Sequence, residues 1–137
     1  MAVDDERLDD VTVLIVDDSE FFADMLAREL RDRADLDAES RYSPSAVLDA
    51  LESRGDVDCV VSDYLMPEMN GLELLDSVRA DHSDLPFVLL TGQGNENIAS
   101  RAIKHGATDY ITKETIIEDS EFGLLLNRIK KGIDHFQ

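Results

Sequence analysis

The first apolar stretch, Val11-Thr12-Val13-Leu14-Ile15-Val16, is β-branched and lacks polar alternation, the pattern of a strand buried on both faces. Asp58-Cys59-Val60-Val61-Ser62 and Phe87-Val88-Leu89-Leu90 repeat that character. Ala38 to Tyr42 and Thr108 to Ile111 are shorter and more polar, which predicts strands at the edges of a sheet. Between these runs the apolar period becomes helical: Phe22, Met25, Leu26 and Leu30, then Val47, Leu48 and Leu51, then Leu72, Leu75 and Val78, then Ile98, Ala99, Ala102 and Ile103. Phe122, Leu125, Leu126, Ile129 and Ile133 predict a last helix running on toward Gln137. Five strands alternating with five helices through short loops predict an α/β protein, its parallel sheet covered on both faces.

Length and composition narrow this picture. The 137 residues, 43% of them apolar, fit one domain with a sizeable core. Thirteen basic against 31 acidic residues leave a net charge of −18, which argues against direct binding to nucleic acid or an anionic membrane. Residues 1–10 read as an acidic, disordered tail preceding a domain over 11–137. Lys104, Lys113, Lys130 and Lys131 are the only lysines. Scarce lysine amid abundant acid resembles the cytosolic proteins of salt-loving microbes, with an ordinary acidic protein as the alternative. The single cysteine, Cys59, can form no internal disulfide and lies in an apolar run, so a reducing cytoplasmic setting is expected. No run approaches membrane-spanning length, and the acidic start lacks the basic-then-apolar order of a signal peptide.

In a doubly wound sheet, ligands bind beyond the carboxyl ends of the strands, so the residues there carry the candidate chemistry. Strand one ends in Asp17-Asp18, strand three in Asp63 and strand four in Thr91, and Lys113 follows strand five. Each has a bland explanation taken singly: Asp18-Ser19, for instance, can simply cap the helix that starts before Phe22. Together they mean more. Three carboxylates converging on one cleft require a cation, and Mg2+ suits hard oxygen ligands without His or Cys. A hydroxyl and a lysine on the same edge add the donor and the positive charge that a phosphoryl group needs. This set suggests aspartyl-phosphate chemistry with Asp63 as nucleophile.

These residues resemble the receiver domain of two-component response regulators, from Val11 to Phe136. Val16-Asp17-Asp18 resembles the family's acidic pair, and Asp63-Tyr64-Leu65-Met66-Pro67-Glu68-Met69-Asn70-Gly71 its phosphoacceptor segment. Thr91, Lys113 and Gly106-Ala107 before Asp109-Tyr110 fit the same pattern. The resemblance implies a flavodoxin-like (βα)5 fold with strand order 2-1-3-4-5. It also implies Mg2+ held by Asp17, Asp18, Asp63 and the backbone carbonyl of Leu65, phosphoryl oxygens bound by Thr91 and Lys113, and Tyr110 as the switch aromatic. Leu65 and Gln93 would border the phosphoryl group and influence its loss to water. The implied partners are a histidine kinase or phosphotransfer protein upstream and, downstream, a separate protein or a covalently linked output domain. The surface expected to change is the fourth helix, fifth strand and last helix. The domain would be a phosphoacceptor rather than an enzyme, apart from self-catalysed transfer and slow autodephosphorylation.

Glu114 departs from the family, which usually has proline after the lysine. A cis Lys113-Glu114 bond would cost roughly 2.5–4 kcal/mol, so a trans bond is expected. Gly92 and Gly94 predict a loose loop after Thr91. Phe21 should point outward beside the cleft, Met66 and Met69 should pack beneath the acidic loop, and His82, His105 and His135 should sit at helix ends, where cations offset the macrodipole. Two alternatives remain. A metal-dependent phosphohydrolase of similar topology would want an acid where Leu65 stands, and a phosphorylation-independent interaction module would not need the full acidic, hydroxyl and lysine set.

Overall fold

The computed structural model describes residues 10–92, 96–119 and 122–135. In chain order the elements are β1 (Thr12–Val16), α1 (Glu20–Ala34), β2 (Asp37–Arg41), α2 (Pro44–Ser53), β3 (Cys59–Asp63), α3 (Gly71–Asp81), β4 (Phe87–Thr91), α4 (Glu96–Lys104), β5 (Asp109–Thr112), α5 (Lys113–Asp119) and α6 (Phe122–His135). The five strands form one parallel sheet in the order β2-β1-β3-β4-β5. The two polar runs are therefore the edges, as their composition predicts. Strand ends differ from the sequence reading by a residue or so; Asp63 and Thr91, for example, are the last residues of β3 and β4. The acidic tail falls on residues 1–9, outside the described residues, and on Asp10, an exposed turn residue.

Period-two geometry divides the buried strands between two cores. Val13, Ile15, Val61, Val88, Leu90 and Ile111 pack with α1 and α6, around Phe22, Leu26, Leu30, Leu125 and Ile129. Leu14, Val16, Val60, Phe87 and Leu89 face the opposite way, onto Val47 and Leu51 of α2, Leu72, Leu75 and Val78 of α3, and Ala102 of α4. Because both faces are covered, the strands show no apolar-polar alternation.

Helix starts are set by short polar side chains. Ser19, Ser43 and Asn70 cap α1, α2 and α3, and Asn70 forms a reciprocal capping box with Glu73. The cap of α1 is Ser19, and the preceding Asp18 is exposed. The sequence pattern does not single out α5. Its first turn is fixed by Thr112 Oγ1, which accepts the Thr115 N–H at 3.3 Å and lies 2.7 Å from Thr115 Oγ1, while Ile116 anchors it in the core. The Lys113–Glu114 bond is trans, since no cis peptide occurs among the described residues.

Candidate functional site

The carboxyl ends of β1, β3 and β4 bring the acidic and hydroxyl residues to one edge of the sheet. Asp17, Asp63 and Thr91 are buried, at 1%, 6% and 2% exposure, although polar groups normally avoid that environment. Asp18 sits exposed above them. One carboxylate oxygen from each of Asp17, Asp18 and Asp63 lies within 4.8 Å of the other two. Lys113, at the start of α5, reaches across: its Nζ is 2.7 Å from Asp17 Oδ2 and 3.2 Å from Asp63 Oδ1.

Local structure holds these groups in place. Asp17 Oδ1 accepts the Ser19 N–H at 2.9 Å, and the Asp17 N–H donates to the Arg41 carbonyl at 3.2 Å, tying the acid to both the cap of α1 and the end of β2. Gly71 opens α3 directly against the end of β3. A Cβ there would stand 2.6 Å from the Asp63 carbonyl oxygen and 2.6 Å from Leu89 Cδ1, so a side chain would push α3 away from Asp63. The Gly71 N–H instead donates to the Tyr64 carbonyl at 2.7 Å, closing the loop that begins at Asp63.

Burial, and then the charge of Asp17, push the Asp63 carboxyl up to about 6, with Lys113 and the Tyr64 N–H opposing them. Lys113 shows the converse balance. Burial alone would lower its pKa, but the two carboxylates outweigh that and raise it, so the ammonium stays charged. One valence is left open: Asp17 Oδ2 is buried and, despite its close ion-pair contact with Lys113, has no donor aligned for a hydrogen bond. A buried carboxylate oxygen in that state, beside two further carboxylates and with no His or Cys in the cluster, fits a hard divalent cation such as Mg2+.

The remaining expected residues border this centre. Leu65, in the loop after Asp63, is 70% exposed, whereas Met66 is buried in the core shared with α2, α3 and α4 and Met69 packs against that core. Gln93 and Gly94 lie outside the described residues. Tyr110, on edge strand β5, is 40% exposed. Phe21 is 82% exposed, as expected of a residue turned away from the core. His82 caps the end of α3, His105 follows α4 and His135 ends α6; His105 Nδ1 also lies 2.7 Å from Asp76 Oδ1, a partner on α3 that its position at a helix end did not reveal. Sequence reasoning also placed Phe22 simply on an apolar face, whereas its ring centroid lies 4.6 Å from Lys113 Nζ.

A doubly wound sheet with an acidic cluster, a hydroxyl and a lysine at its carboxyl edge defines a class of phosphoryl-handling α/β proteins. Within that class the chain belongs to the response regulator receiver domain family, whose model matches residues 13–121. It is 33% identical over 103 residues to the chemotaxis protein CheY homologue of Campylobacter jejuni, a match covering 74% of this chain and 79% of that protein. It is 36% identical over 101 residues to the transcriptional regulatory protein FixJ of Bradyrhizobium diazoefficiens, covering 74% of this chain and 48% of FixJ. The match to TcrX of Mycobacterium tuberculosis spans 46% of TcrX, so the chain corresponds to about half the length of these two regulators. Among solved structures, a receiver domain protein from Clostridium thermocellum superimposes with a TM-score of 0.81 at 21% identity, covering 91% of this chain and 95% of that one. The structure named FixJ-N gives 0.76 at 31% identity, covering 89% and 94%. Receiver domains are phosphoacceptor signalling modules of two-component systems rather than conventional enzymes, and they bind Mg2+ at an acidic pocket.

Proposed function

We propose that the chain is a phosphorylation-controlled switch in which Asp63 accepts a phosphoryl group from a histidine kinase or phosphotransfer protein. The observation that carries this reading is the placement of Asp63 at the end of β3, between two acids and a lysine ammonium 3.2 Å from its Oδ1. An ionised Asp63 oxygen attacks the phosphorus of a phosphohistidine. The new O–P bond forms as the N–P bond breaks, and the departing imidazole takes a proton from solvent. Lys113 offsets the negative charge of the incoming oxygens, and the Thr91 hydroxyl donates to one of them. Asp17, Asp18, Asp63 and the Leu65 backbone carbonyl would hold Mg2+, which supplies a dication to neutralise the oxygens in transfer. Asp17 also fixes the ammonium, at 2.7 Å from its Oδ2.

Output in this reading passes through Tyr110, which turns inward as Thr91 engages the phosphoryl group, altering the face made by α4, β5 and α6. That face meets a downstream protein or a linked output domain. The receiver unit is taken as 11–137, preceded by the acidic tail of residues 1–10, and its setting as the cytoplasm of a salt-loving microbe. Among the described residues no helix is long and apolar enough to cross a membrane. Intact mass after incubation with acetyl phosphate and Mg2+, at low and high salt, tests the reading. One phosphoryl adduct that disappears in Asp63→Asn is expected, and no adduct under any condition overturns it.

A further inference from the structure

Phe22 stands in the first turn of α1 with only 7% of its surface exposed. Its ring is part of a closed circuit through the site. Asp17 Oδ1 accepts the Ser19 N–H at 2.9 Å, Ser19 Oγ accepts the Phe22 N–H at 3.3 Å, the Phe22 ring lies 4.6 Å from the Lys113 ammonium, and that ammonium returns to Asp17 Oδ2 at 2.7 Å. We propose that Phe22 is a positioning residue for phosphoryl transfer, its ring face holding the Lys113 ammonium between Asp17 and Asp63. The inference rests on the reading of Asp63 as phosphoacceptor.

The need for such a device follows from the side chain it acts on. Lysine presents a compact charge on a flexible four-carbon stem, so a single ion pair defines its direction poorly. Here the nearer carboxylate is Asp17, at 2.7 Å, with Asp63 at 3.2 Å. Electrostatics alone would therefore draw the ammonium toward the acid that does not accept the phosphoryl group. An aromatic face attracts a cation through its quadrupole and is an apolar wall on the same side. Contacted by the ring at 4.6 Å as well as by the two carboxylates at 2.7 and 3.2 Å, the ammonium has fewer alternative positions and remains within reach of Asp63. An aliphatic side chain in this core would replace the volume but not that attraction.

Two substitutions separate attraction from filling. Phe22→Leu keeps an apolar residue on α1, while 3,4,5-trifluorophenylalanine at position 22 keeps the ring's shape and weakens its quadrupole. With acetyl phosphate and saturating Mg2+, we expect Phe22→Leu to slow formation of the Asp63 adduct by about fivefold, and the trifluorinated residue to fall between it and wild type. Mg2+ affinity and melting temperature of the fluorinated protein should stay at wild-type values, which a purely structural role for the ring would not separate from the rate. A second readout needs no phosphorylation: the Lys113 Hε protons, shielded by the ring in the wild type, should move downfield in Phe22→Leu. If Phe22→Leu does not fold, the fluorinated protein and the wild-type Lys113 Hε shifts decide. Equal rates for wild-type and fluorinated protein, or unshielded Lys113 Hε protons, overturn the proposal. Absence of any adduct in wild type would instead overturn the phosphoacceptor reading, and the proton shifts would still report whether Phe22 holds the ammonium.

Discussion

Asp63 binds its proton more tightly than an ordinary aspartate, at about 6 against 3.8, because it is buried and Asp17 lies beside it. Between those two values the native chain holds a proton that the unfolded chain has released. The stability from this group is therefore fully present below pH about 4 and is lost as pH rises through about 6. At neutral pH the ionised carboxylate costs the metal-free fold up to about 3 kcal/mol, the part of the cleft open to solvent reducing it. Asp63→Asn removes that cost, so thermal scans without metal at pH 7 should show a melting temperature equal to or above wild type, with the advantage disappearing below pH 4. Mg2+ should raise the melting temperature of wild type by binding the native state, and do so less in the variant. Marked unfolding of Asp63→Asn would contradict the crowded site. Leu65 bears on the opposite step, the loss of phosphate. Under the proposed switch its exposed apolar side chain would shield phosphorus from in-line water but could not orient a water molecule. Leu65→Asn should therefore shorten the lifetime of the phosphorylated protein in excess Mg2+ with little change in melting temperature, and an unchanged or longer lifetime would remove Leu65 as a gate.

At the scale of elements, Arg79 shows what holds the far end of the sheet together. Its guanidinium donates to the Gly106 carbonyl through Nε at 3.0 Å and Nη2 at 2.7 Å, and through Nη1 to the His82 and Leu85 carbonyls at 2.9 and 2.6 Å. One side chain thus joins the end of α3, the entry to β4 and the turn between α4 and β5. Gly106 adopts a left-handed φ of 100°, and a Cβ there would lie 3.0 Å from Arg79 Nε. Arg79→Ala leaves three carbonyls without this donor and should cost about 1–3 kcal/mol in denaturant unfolding, with hydrogen exchange rising first around Gly106. Nothing in the sequence marks this clamp, because a basic residue in the last turn of a helix is ordinary and its principal partner is 27 positions away. The strands were legible for the opposite reason: burial on both faces leaves an uninterrupted apolar run in Val13 to Val16 and in Val60 to Val61. The acidic pair, Asp63, Thr91 and Lys113 were legible because each stands at or just beyond a strand end. The α5 helix was not, since it depends on two threonine hydroxyls and one buried isoleucine rather than a repeating stripe. Nor was the contact of Phe22 with the Lys113 ammonium, since apolar periodicity places a ring on a face but does not say what lies over it.

For the whole molecule, the dominant electrostatic fact is the excess of 31 acids over 13 bases. Attractive pairs exist, such as Arg54 with Glu39 at 2.7 Å and with Asp56 at 2.9 Å, and Arg33 with Glu29 at 3.0 Å. Pairs of this exposure contribute roughly 0–1 kcal/mol each and weaken with salt. Repulsion among the surplus acids weakens too, as the Debye length falls from about 10 Å at 0.1 M to about 3 Å at 1 M, and with so large a surplus it prevails. Melting temperature should therefore rise between 0.1 and 1 M KCl; a flat or falling trend would contradict the salt-adapted reading. The lone cysteine offers an independent view of the same balance. Cys59 lies wholly buried in β3, the central strand, where burial pushes its thiol pKa up. A thiol reagent can reach it only when the sheet parts, and at saturating reagent the labelling rate equals the opening rate itself. The chain thus carries its own stopwatch: a single sulfur, silent in every closed molecule, whose slower modification in concentrated KCl would time how long each fold survives.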